Sequence, residues 1–306
     1  MDLSNENTEE LLISSSDIKK KKREISIRIQ KVKKSHIKLR LVFFASLAVL
    51  LIVMTVFAAQ ICPHDPYKQD LSVALNAPSA SHLMGTDTYG RDMLSRVIIG
   101  ARASILSTFA LVAIITVFGT AVGVLCGYIG GKFDGIVMRI SDFFLAFPGL
   151  VFALAVAALL GGGIWNAVIA LAVISWPKYS RVARSQTLSI RNSEFINASI
   201  MAGDNALQII VRHILPNILG PILVTSVLDI GTMMMELAGL SFLGLGAQPP
   251  VAEWGSMMST GRSMLQTYPW IVLSPGFAIF ISVVVFNLLG DTVRDYLDPR
   301  RQSKTI

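Results

Sequence analysis

Two acidic residues lie in an apolar segment long enough to cross a bilayer. Asp229 and Glu236 are seven residues apart in the run Ile218–Leu240, so a helix places them on nearly one face, with Met233 between them. Charges within a bilayer are costly and by default suggest function. We interpret this face as the border of a translocation path, where an ammonium group or a chelated cation finds a favourable potential. The alternative, that each acid pairs with a partner subunit or lies near the membrane edge, stays open.

A polar segment between two apolar runs, residues 190–217, is the second candidate site. It predicts a short helix, a break at Gly203 and a second helix that Pro216 ends. Asp204 or Asn205 is expected to cap the second helix, and Asn205 with Gln208 has the spacing of a capping box. A simple reversal of the chain needs few residues, so a folded loop indicates a docking surface, with a plain connector as the alternative. The residues expected to carry this role are Glu194, Asn197, Ala198, Ser199, Gly203, Asp204 and Pro216.

Cys62, His64 and Asp65 offer metal-ligand atoms within four residues. Pro63 stiffens this segment and no fourth ligand is evident, so we predict a turn at Asp65–Pro66 and no metal site. The other histidines considered are interpreted as polar loop or interface residues: His36, His82 and His213.

The chain offers no residue set that predicts catalysis. The string GYIGGKF at 127–133 has neither the spacing nor the Ser or Thr of a phosphate-binding loop. No convincing nucleophile–base pair is present, and no resident cofactor is predicted. We therefore expect the chain not to be an enzyme, and the energy for any active transport to come from another polypeptide.

The elements that must position these residues are predicted to be membrane helices. The chain has 306 residues, 53% of them hydrophobic and only 15% charged, against about 25% charged in a soluble domain. Apolar runs near 20 residues have the length that crosses a bilayer, which predicts an all-α membrane protein with six transmembrane helices. Pro148 is expected to kink the third of them, and Pro177 with Lys178 to shorten the fourth. The predicted spans are Leu39–Ile61, Ala103–Tyr128, Phe143–Leu160, Ile164–Tyr179, Ile218–Leu240 and Trp270–Leu289.

The distribution of positive charge sets the predicted orientation. With the amino terminus inside, inner segments hold 22 of the 27 Lys and Arg residues, which places both termini in the cytosol. The net charge of +7 therefore indicates topology and attraction to anionic membrane lipid, not nucleic acid. The predicted domains are a basic cytosolic tail with an interfacial helix (1–38), a transmembrane domain (39–300) that includes the cytosolic loop 190–217, and a short cytosolic tail (301–306).

Glycines in the second span recur every four residues. Gly119, Gly123, Gly127 and Gly131 fall along one stripe of a helix and permit close approach of a neighbouring helix. We predict that the stripe packs against a helix of the same chain.

Four motifs resemble one family of bacterial transport proteins. The run NASIMAG (197–203) followed by HILP (213–216) resembles the "EAA" loop of ABC-importer permeases, with Asn197 where that loop usually has Glu and Ser199 where it has Ala. HLMGTDTYGRDMLSRVIIGAR (82–102), AGLSFLGLGAQPPVAEWGSMM (238–258) and FNLLGDTVRDYLDPR (286–300) are similar to the peptide and nickel branch.

This resemblance implies the second, C-type, permease subunit of a dipeptide, oligopeptide or nickel importer, with the type I (MetI-like) fold and a multi-pass location in the cell membrane. It implies as partners a homologous permease in a heterodimer, two ABC ATPase subunits at the loop helix and an extracytoplasmic solute-binding protein. LDIGTMM around Asp229 looks nickel-like and Glu236 before LAGLSFLGLG looks peptide-like, so the solute stays open. The alternative function is an ion-coupled secondary transporter that titrates these two acids. The candidate binding-protein contacts are Gly85, Thr86, Asp87, Gly90, Arg91, Asp92, Glu253 and Trp254.

Overall fold

The computed structural model describes residues 37–297, and helices form nearly all of that range. The tail at 1–36, the last residues of the 286–300 motif and the segment 301–306 lie outside the described residues. In chain order the helices are α1 (Ile37–Val56), α2 (Ala58–Ile61), α3 (Met93–Ile129), α4 (Gly131–Leu145), α5 (Gly149–Leu159), α6 (Ile164–Ile190), α7 (Glu194–Met201), α8 (Ala206–Ile209), α9 (Leu215–Phe242), α10 (Trp254–Gly261) and α11 (Trp270–Leu297). Short 3-10 turns at Leu71–Val73 and Arg262–Met264 and a π-helical turn at Ile210–Ile214 complete the described secondary structure.

Four helical stretches in the described range are long and apolar enough to cross a membrane: α1, α3, the run from α8 through α9, and α11. The α4–α5 pair gives a fifth if it counts as one span. The helical membrane fold is therefore confirmed, whereas the count of six spans stays a prediction. Helix α6, which contains the predicted fourth span, falls short on hydropathy because its second half carries Lys178, Arg181 and Arg184.

The predicted third span, Phe143–Leu160, is not one kinked helix. Helix α4 starts much earlier, at Gly131, and α5 leaves it at 91° after a break of three residues. Pro148 precedes α5 in an extended conformation. A proline lacks the N–H that would continue the hydrogen-bond ladder and disfavours helix at the residue before it. The structure therefore has two separate helices that meet at a sharp bend, where the sequence predicted one kinked helix.

The glycine stripe packs α3 against α6, as predicted for its first three members. A Cβ atom added to Gly119 meets the side chain of Tyr179 at 2.6 Å, and one added to Gly127 meets Thr187 at 2.7 Å. At Gly123 the added atom lies against the backbone of Ser180. Gly131 differs because it lies past the end of α3 with φ +60° and nothing within 4 Å. The four-residue repeat continues in the sequence, but the contact ends with the helix.

We expect Gly123→Leu to prevent the close approach of α3 and α6. The added side chain must displace helix backbone, and overpacking of this kind costs about 1–3 kcal/mol or more. The matched control is Gly135→Leu, since Gly135 is also helical but has nothing within 4 Å. Membrane yield and thermal midpoint in detergent should fall for the first variant only. Equal midpoints for both variants would contradict the packing described here.

Helix α6 continues through Pro177 and Lys178 to Ile190, so these residues do not end the helix as the predicted fourth span implied. Pro177 is buried, and its flanking positions pack against α3. Packing of α6 against α3 and α9 offsets the missing hydrogen bond, because tertiary contacts override local helix propensity. Because α6 continues to Ile190, Lys178 lies on a helix of the bundle rather than in a loop.

Helix α3 separates two ends of the bundle. Its 37 residues extend about 55 Å at 1.5 Å per residue. Its first turn lies beside the segment 62–92, while its last turns contact the end of α6, where Arg191 Nη1 donates to the carbonyl of Gly127 at 3.2 Å. The loop that follows α6 is therefore at the end opposite to the 82–102 motif.

Candidate coupling loop, buried charges and outer segment

Helix α7 forms where the sequence predicts the first loop helix, from Glu194 to Met201. Ile196 and Ser199 face inward and are buried, while Asn197 and Ala198 are exposed. Met201 is the most exposed large apolar side chain of the loop, at 89%. The small and apolar outer face of α7 is thus available to a partner.

Gly203 ends the first loop helix with a left-handed backbone, φ +94°. Its N–H donates to the carbonyl of Ile200 at 3.0 Å, and the N–H of Asp204 donates to the carbonyl of Ser199 at 3.2 Å. These bonds satisfy carbonyls that the helix end would otherwise leave free. Nothing lies within 4 Å of a Cβ atom built on Gly203, so the backbone conformation, not space, requires glycine here.

Asp204 ties the two loop helices together. Its carboxylate accepts a hydrogen bond of 2.5 Å from Ser199 Oγ and lies 3.5 Å from Nε2 of His213. The pKa of Asp204 lies below its ordinary value, chiefly because of the hydrogen bond from Ser199. Desolvation acts to raise this pKa, and the hydrogen bond from His213 helps to lower it. Asn205, rather than Asp204, caps α8 and forms the predicted reciprocal capping box with Gln208.

Pro216 does not end the second loop helix. The helical chain runs on from Ala206 to Phe242, and Pro216 lies in the first turn of α9, just after the π-helical turn Ile210–Ile214. A π-helical turn shifts the hydrogen-bond register by one residue, and a proline is tolerated in the first turn of a helix because its missing N–H is not needed there. The loop is thereby continuous with a long helix of the bundle.

The loop is packed against three helices of the bundle. Ile196 of α7, Ile209 of α8 and Ile214 are fully buried in one cluster with Val124 of α3 and Ala183 of α6. The same cluster includes Ile218 and Ile222 of α9. A force applied to α7 therefore reaches α3, α6 and α9 through close-packed side chains, which transmit strain.

The two acids of the predicted translocation path have different surroundings. Asp229 is buried and pairs with Lys178 of α6, with Nζ 2.5 Å from Oδ1. Its other oxygen, Oδ2, is buried and has no hydrogen-bond partner among the described residues. Glu236 is partly exposed, and Met233 is buried in the core of the chain. Sequence reasoning missed Lys178; the available signal was that charges within membrane helices usually pair with one another.

The candidate binding-protein contacts of the outer segment are mostly buried within the chain itself. The Asp87 carboxylate accepts hydrogen bonds from the backbone N–H groups of Tyr89 and Arg91. Its Oδ2 lies 2.7 Å from Nε of Arg91 and 3.5 Å from Nε of Arg96. Thr86 is fully buried. Gly85 and Gly90 adopt left-handed conformations of +73° and +70°. These residues form a buried framework within the 82–102 segment, and the exposed side chain between them is that of Tyr89.

Asp92 caps α3 and organises the segment before it. Its Oδ2 accepts hydrogen bonds from the N–H and the hydroxyl of Ser95 at 2.8 and 2.7 Å, while Oδ1 lies 2.9 Å from Nδ1 of His82. Burial acts to raise the pKa of Asp92, but the hydrogen bonds from Ser95 and His82 outweigh it, and the pKa lies below its ordinary value. His64 also faces this carboxylate, 3.8 Å from Oδ2.

Glu253 and Trp254 join the segment between α9 and α11 to α3. The buried Glu253 carboxylate caps α10 through the N–H groups of Gly255 and Ser256 at 2.9 and 2.8 Å, and it accepts from Ser104 Oγ at 3.1 Å. The indole of Trp254 donates to the carbonyl of Val97 at 2.8 Å. These two residues hold α10 against α3.

We expect Glu253→Ala to lower the thermal stability of the permease itself, even when no binding protein is present. Loss of a helix cap costs about 0.5–2 kcal/mol, and the hydroxyl of Ser104 loses its acceptor. The nearby Val251 is exposed, so Val251→Ala is the control that should leave the thermal midpoint unchanged. A lower midpoint for Glu253→Ala in the absence of any binding protein supports a structural role. An unchanged midpoint with weaker docking of a binding protein would instead make Glu253 a direct contact.

The geometry assembles a multi-helix bundle, a packed loop with an exposed helix at one end, and a well-ordered segment at the other. Residues 119–303 match the family described as "Binding-protein-dependent transport system inner membrane component". The chain belongs to this family. It is thus a transport component of the membrane, and its apolar helices make it a multi-pass protein.

Several curated relatives of this permease cover most of its length. It is 43% identical over 252 residues to a dipeptide transport system permease protein of Alkalihalophilus pseudofirmus, which covers 82% of this chain and 83% of the relative. It is 42% identical to a glutathione transport system permease protein of Escherichia coli O6:K15:H31 (84% and 85% covered). It is 41% identical to the nickel transport system permease protein of Escherichia coli K12 (78% and 86% covered).

A solved structure has the same fold as this permease. A chain of the inward-facing MetNI methionine ABC transporter, in its CY5 native crystal form, superposes with a TM-score of 0.54 at 20% identity, covering 67% of this chain and 98% of the other. At 20% identity this similarity supports the predicted MetI-like fold but does not assign roles to individual residues.

Proposed function

We propose that this permease forms half of the translocation path of an ATP-driven importer for dipeptides, oligopeptides or a nickel or other metal chelate. Its proposed partners are a homologous permease, two ATPase subunits and an extracytoplasmic solute-binding protein. The proposal includes six membrane spans and cytosolic termini. It places residues 190–217 on the cytosolic side and the 82–102 segment outside. The relatives named for dipeptide, glutathione and nickel transport support this range of solutes.

The observation that carries the proposal is the exposed face of a loop that is otherwise firmly packed. Met201 and Leu207 are 89% and 70% exposed, and Ile200 also faces outward. Three exposed large apolar side chains within eight residues of one ordered loop favour an interaction site. Beneath them, Ile196 and Ile209 anchor the loop in the bundle. A partner groove that accepts this face is therefore connected mechanically to the membrane helices.

The proposed mechanism uses this connection to alternate access. ATP binding closes the ATPase pair, which displaces α7 and rocks α3, α6 and α9 together. A ligand shifts such an equilibrium only by binding its two states differently, so the loop must keep its shape while it moves. The left-handed Gly203 and the Ser199–Asp204 hydrogen bond fix that shape.

The proposed path borders α9 around Asp229 and Glu236. The unpartnered Oδ2 of Asp229 retains acceptor capacity for a cationic group of the solute or for the partner permease. When neither the solute nor the partner permease supplies a positive group, Lys178 balances the charge of Asp229. The binding-protein contact proposed for the outer segment acts through its exposed parts, Tyr89 and Val251, on the buried framework described above.

Uptake by the reconstituted complex of permeases and ATPases tests the energy source. With binding protein and a labelled dipeptide or nickel chelate, accumulation is expected to require internal ATP and to continue after ionophores have collapsed ion gradients. Uptake that stops with the ionophore while ATP remains would instead assign Asp229 and Glu236 to an ion-coupled carrier.

Removal of the exposed apolar side chain of α7 tests the docking surface. We expect Met201→Asp to reduce ATPase co-purification with the permease by tenfold or more, because a carboxylate replaces an apolar contact of about 1.5–3 kcal/mol. Asn192→Asp is the control, since Asn192 is exposed just before the same helix and receives the same charge. Co-purification that falls equally for both variants would attribute the effect to charge rather than to docking of Met201.

A further inference from the structure

We propose that His64, His82 and Asp92 form a binding site for a divalent transition-metal ion with a preference for nitrogen ligands, such as Zn²⁺. The three residues come from separate parts of the segment between α1 and α3. One ligand atom from each lies within 4.8 Å of the other two. The site goes beyond the proposed transport function and does not depend on it.

The spacing of the ligand atoms fits a metal ion after small side-chain movements. Nδ1 of His82 lies 2.9 Å from Oδ1 of Asp92, and Nδ1 of His64 lies 3.8 Å from Oδ2. Two ligand atoms bound tetrahedrally at the usual Zn–N and Zn–O lengths are about 3.3 Å apart. The observed distances lie on either side of that value. His64 is the ligand with room to adjust, because its side chain is 47% exposed.

The backbones that carry the three ligands are already fixed. Ser95 Oγ donates to Asp92 Oδ2 at 2.7 Å and accepts from the N–H of His64 at 3.0 Å, so one residue positions two ligands. At His82 the carbonyl accepts from the N–H groups of Ser79 and Gly85 at 2.9 and 2.8 Å. A binding site held by such supporting hydrogen bonds loses little freedom when the ion enters.

The ligand set selects the class of ion. Two imidazoles and one carboxylate suit Zn²⁺, Ni²⁺ or Cu²⁺, whereas Ca²⁺ and Mg²⁺ prefer oxygen ligands alone. The Asp92 carboxylate presents Oδ1 to His82, and it presents Oδ2, which also accepts from Ser95, to His64. Three protein ligands leave at least one position for water or a solute group, and the exposed side of His64 opens that position to solvent.

The local alternative is a helix cap in which His82 simply donates a hydrogen bond to Asp92. That arrangement uses His82 and Asp92 but gives His64 no role, since His64 is 3.8 Å from the carboxylate and half exposed. The rings of the two histidines are nevertheless neighbours, with centroids 5.0 Å apart and ring planes tilted by 37°. His64 is therefore the residue that separates a metal site from a simple cap.

Zn²⁺ binding to the purified importer complex without a histidine tag tests the site. Equilibrium dialysis with metal analysis, with the protein in nanodiscs, should show one saturable Zn²⁺ in the unmodified complex that is lost in His64→Gln. Loss of a direct ligand should weaken binding by more than the 10- to 100-fold typical of outer-shell changes. X-ray absorption at the zinc edge should show two imidazole ligands.

The matched control is His213→Gln, because His213 is a partly exposed histidine in the loop at the other end of the bundle. It should keep the bound Zn²⁺. His64→Gln should also leave the thermal midpoint of the metal-free complex unchanged, which separates loss of a ligand from loss of fold. The absence of saturable binding would overturn the site, and so would a Zn²⁺ affinity within threefold of the unmodified complex in His64→Gln.

Discussion

Gly203→Val is expected to uncouple ATP hydrolysis from uptake. At φ +94° an L-residue is strained by about 1–2 kcal/mol, and a β-branched residue is a stronger outlier. Since the space around the added Cβ is open, the loop can relieve the strain only by re-forming the end of α7. We expect uptake by the reconstituted complex to fall at least tenfold while the ATPases continue to hydrolyse ATP.

Two further variants separate coupling from general strain. Gly131→Val imposes a similar left-handed conflict, φ +60° with nothing within 4 Å, at the junction of α3 and α4. It should lower stability without the same loss of coupling. Gly203→Asn should retain most of the uptake, because Asn enters the left-handed region more readily than Val. Intact, fully coupled uptake by Gly203→Val would show that the loop conformation does not transmit the ATPase movement.

The Lys178–Asp229 pair should respond asymmetrically to the removal of either partner. Lys178→Met leaves a buried carboxylate without its counter-charge, which costs about 3–5 kcal/mol. Asp229→Asn leaves an amide of similar shape in the buried position, while Lys178, whose side chain is 54% exposed, can be solvated. We therefore expect a large drop in thermal midpoint for Lys178→Met, a small one for Asp229→Asn, and recovery in the double variant.

The matched control is another ion pair with the same separation. Arg181 and Asp142 are also 2.5 Å apart, but their side chains are 50% and 62% exposed. An exposed pair contributes about 0–1 kcal/mol, so Arg181→Met should shift the midpoint little. Equal shifts for Arg181→Met and Lys178→Met would mean that the burial of Asp229 adds nothing to the strength of its ion pair.

Transport by Asp229→Asn tests the role of the acid in the path, separately from stability. If Asp229 borders the path, the variant should assemble normally but show altered uptake of cationic or metal-bearing solutes. Unchanged uptake kinetics across dipeptide and nickel substrates would remove this role from Asp229 and leave the pair as a structural link between α6 and α9.

Local signals in the sequence predicted the helices and caps of the loop 190–217, apart from its end. The short helix, its end at Gly203 and the capping box of Asn205 with Gln208 all depend on neighbouring residues, so their physics is contained in a few positions of the chain. Pro216 was predicted wrongly as a stop. The π-helical turn before Pro216 shifts the hydrogen-bond register and places the proline in the first turn of α9, where its missing N–H is tolerated.

Contacts between distant residues could not be predicted in the same way. Lys178 and Asp229 are 51 residues apart, and each looked like an isolated charge or a helix boundary in the sequence. His64, His82 and Asp92 meet only because the segment before α3 folds back onto the first turn of that helix. From the sequence, His64 was weighed only beside its neighbours Cys62 and Asp65, and a turn rather than a metal site was predicted there.

The sequence by itself determined the class of the protein: apolar runs, the asymmetry of positive charge, the glycine stripe and the loop motif each depend on composition or short-range spacing. The tertiary structure decided which charges are paired, how the chain turns at Pro148, and which residues of the 82–102 segment are buried rather than exposed. These properties depend on how α3, α6 and α9 pack, and burial and pairing are set by side chains that are far apart in the chain.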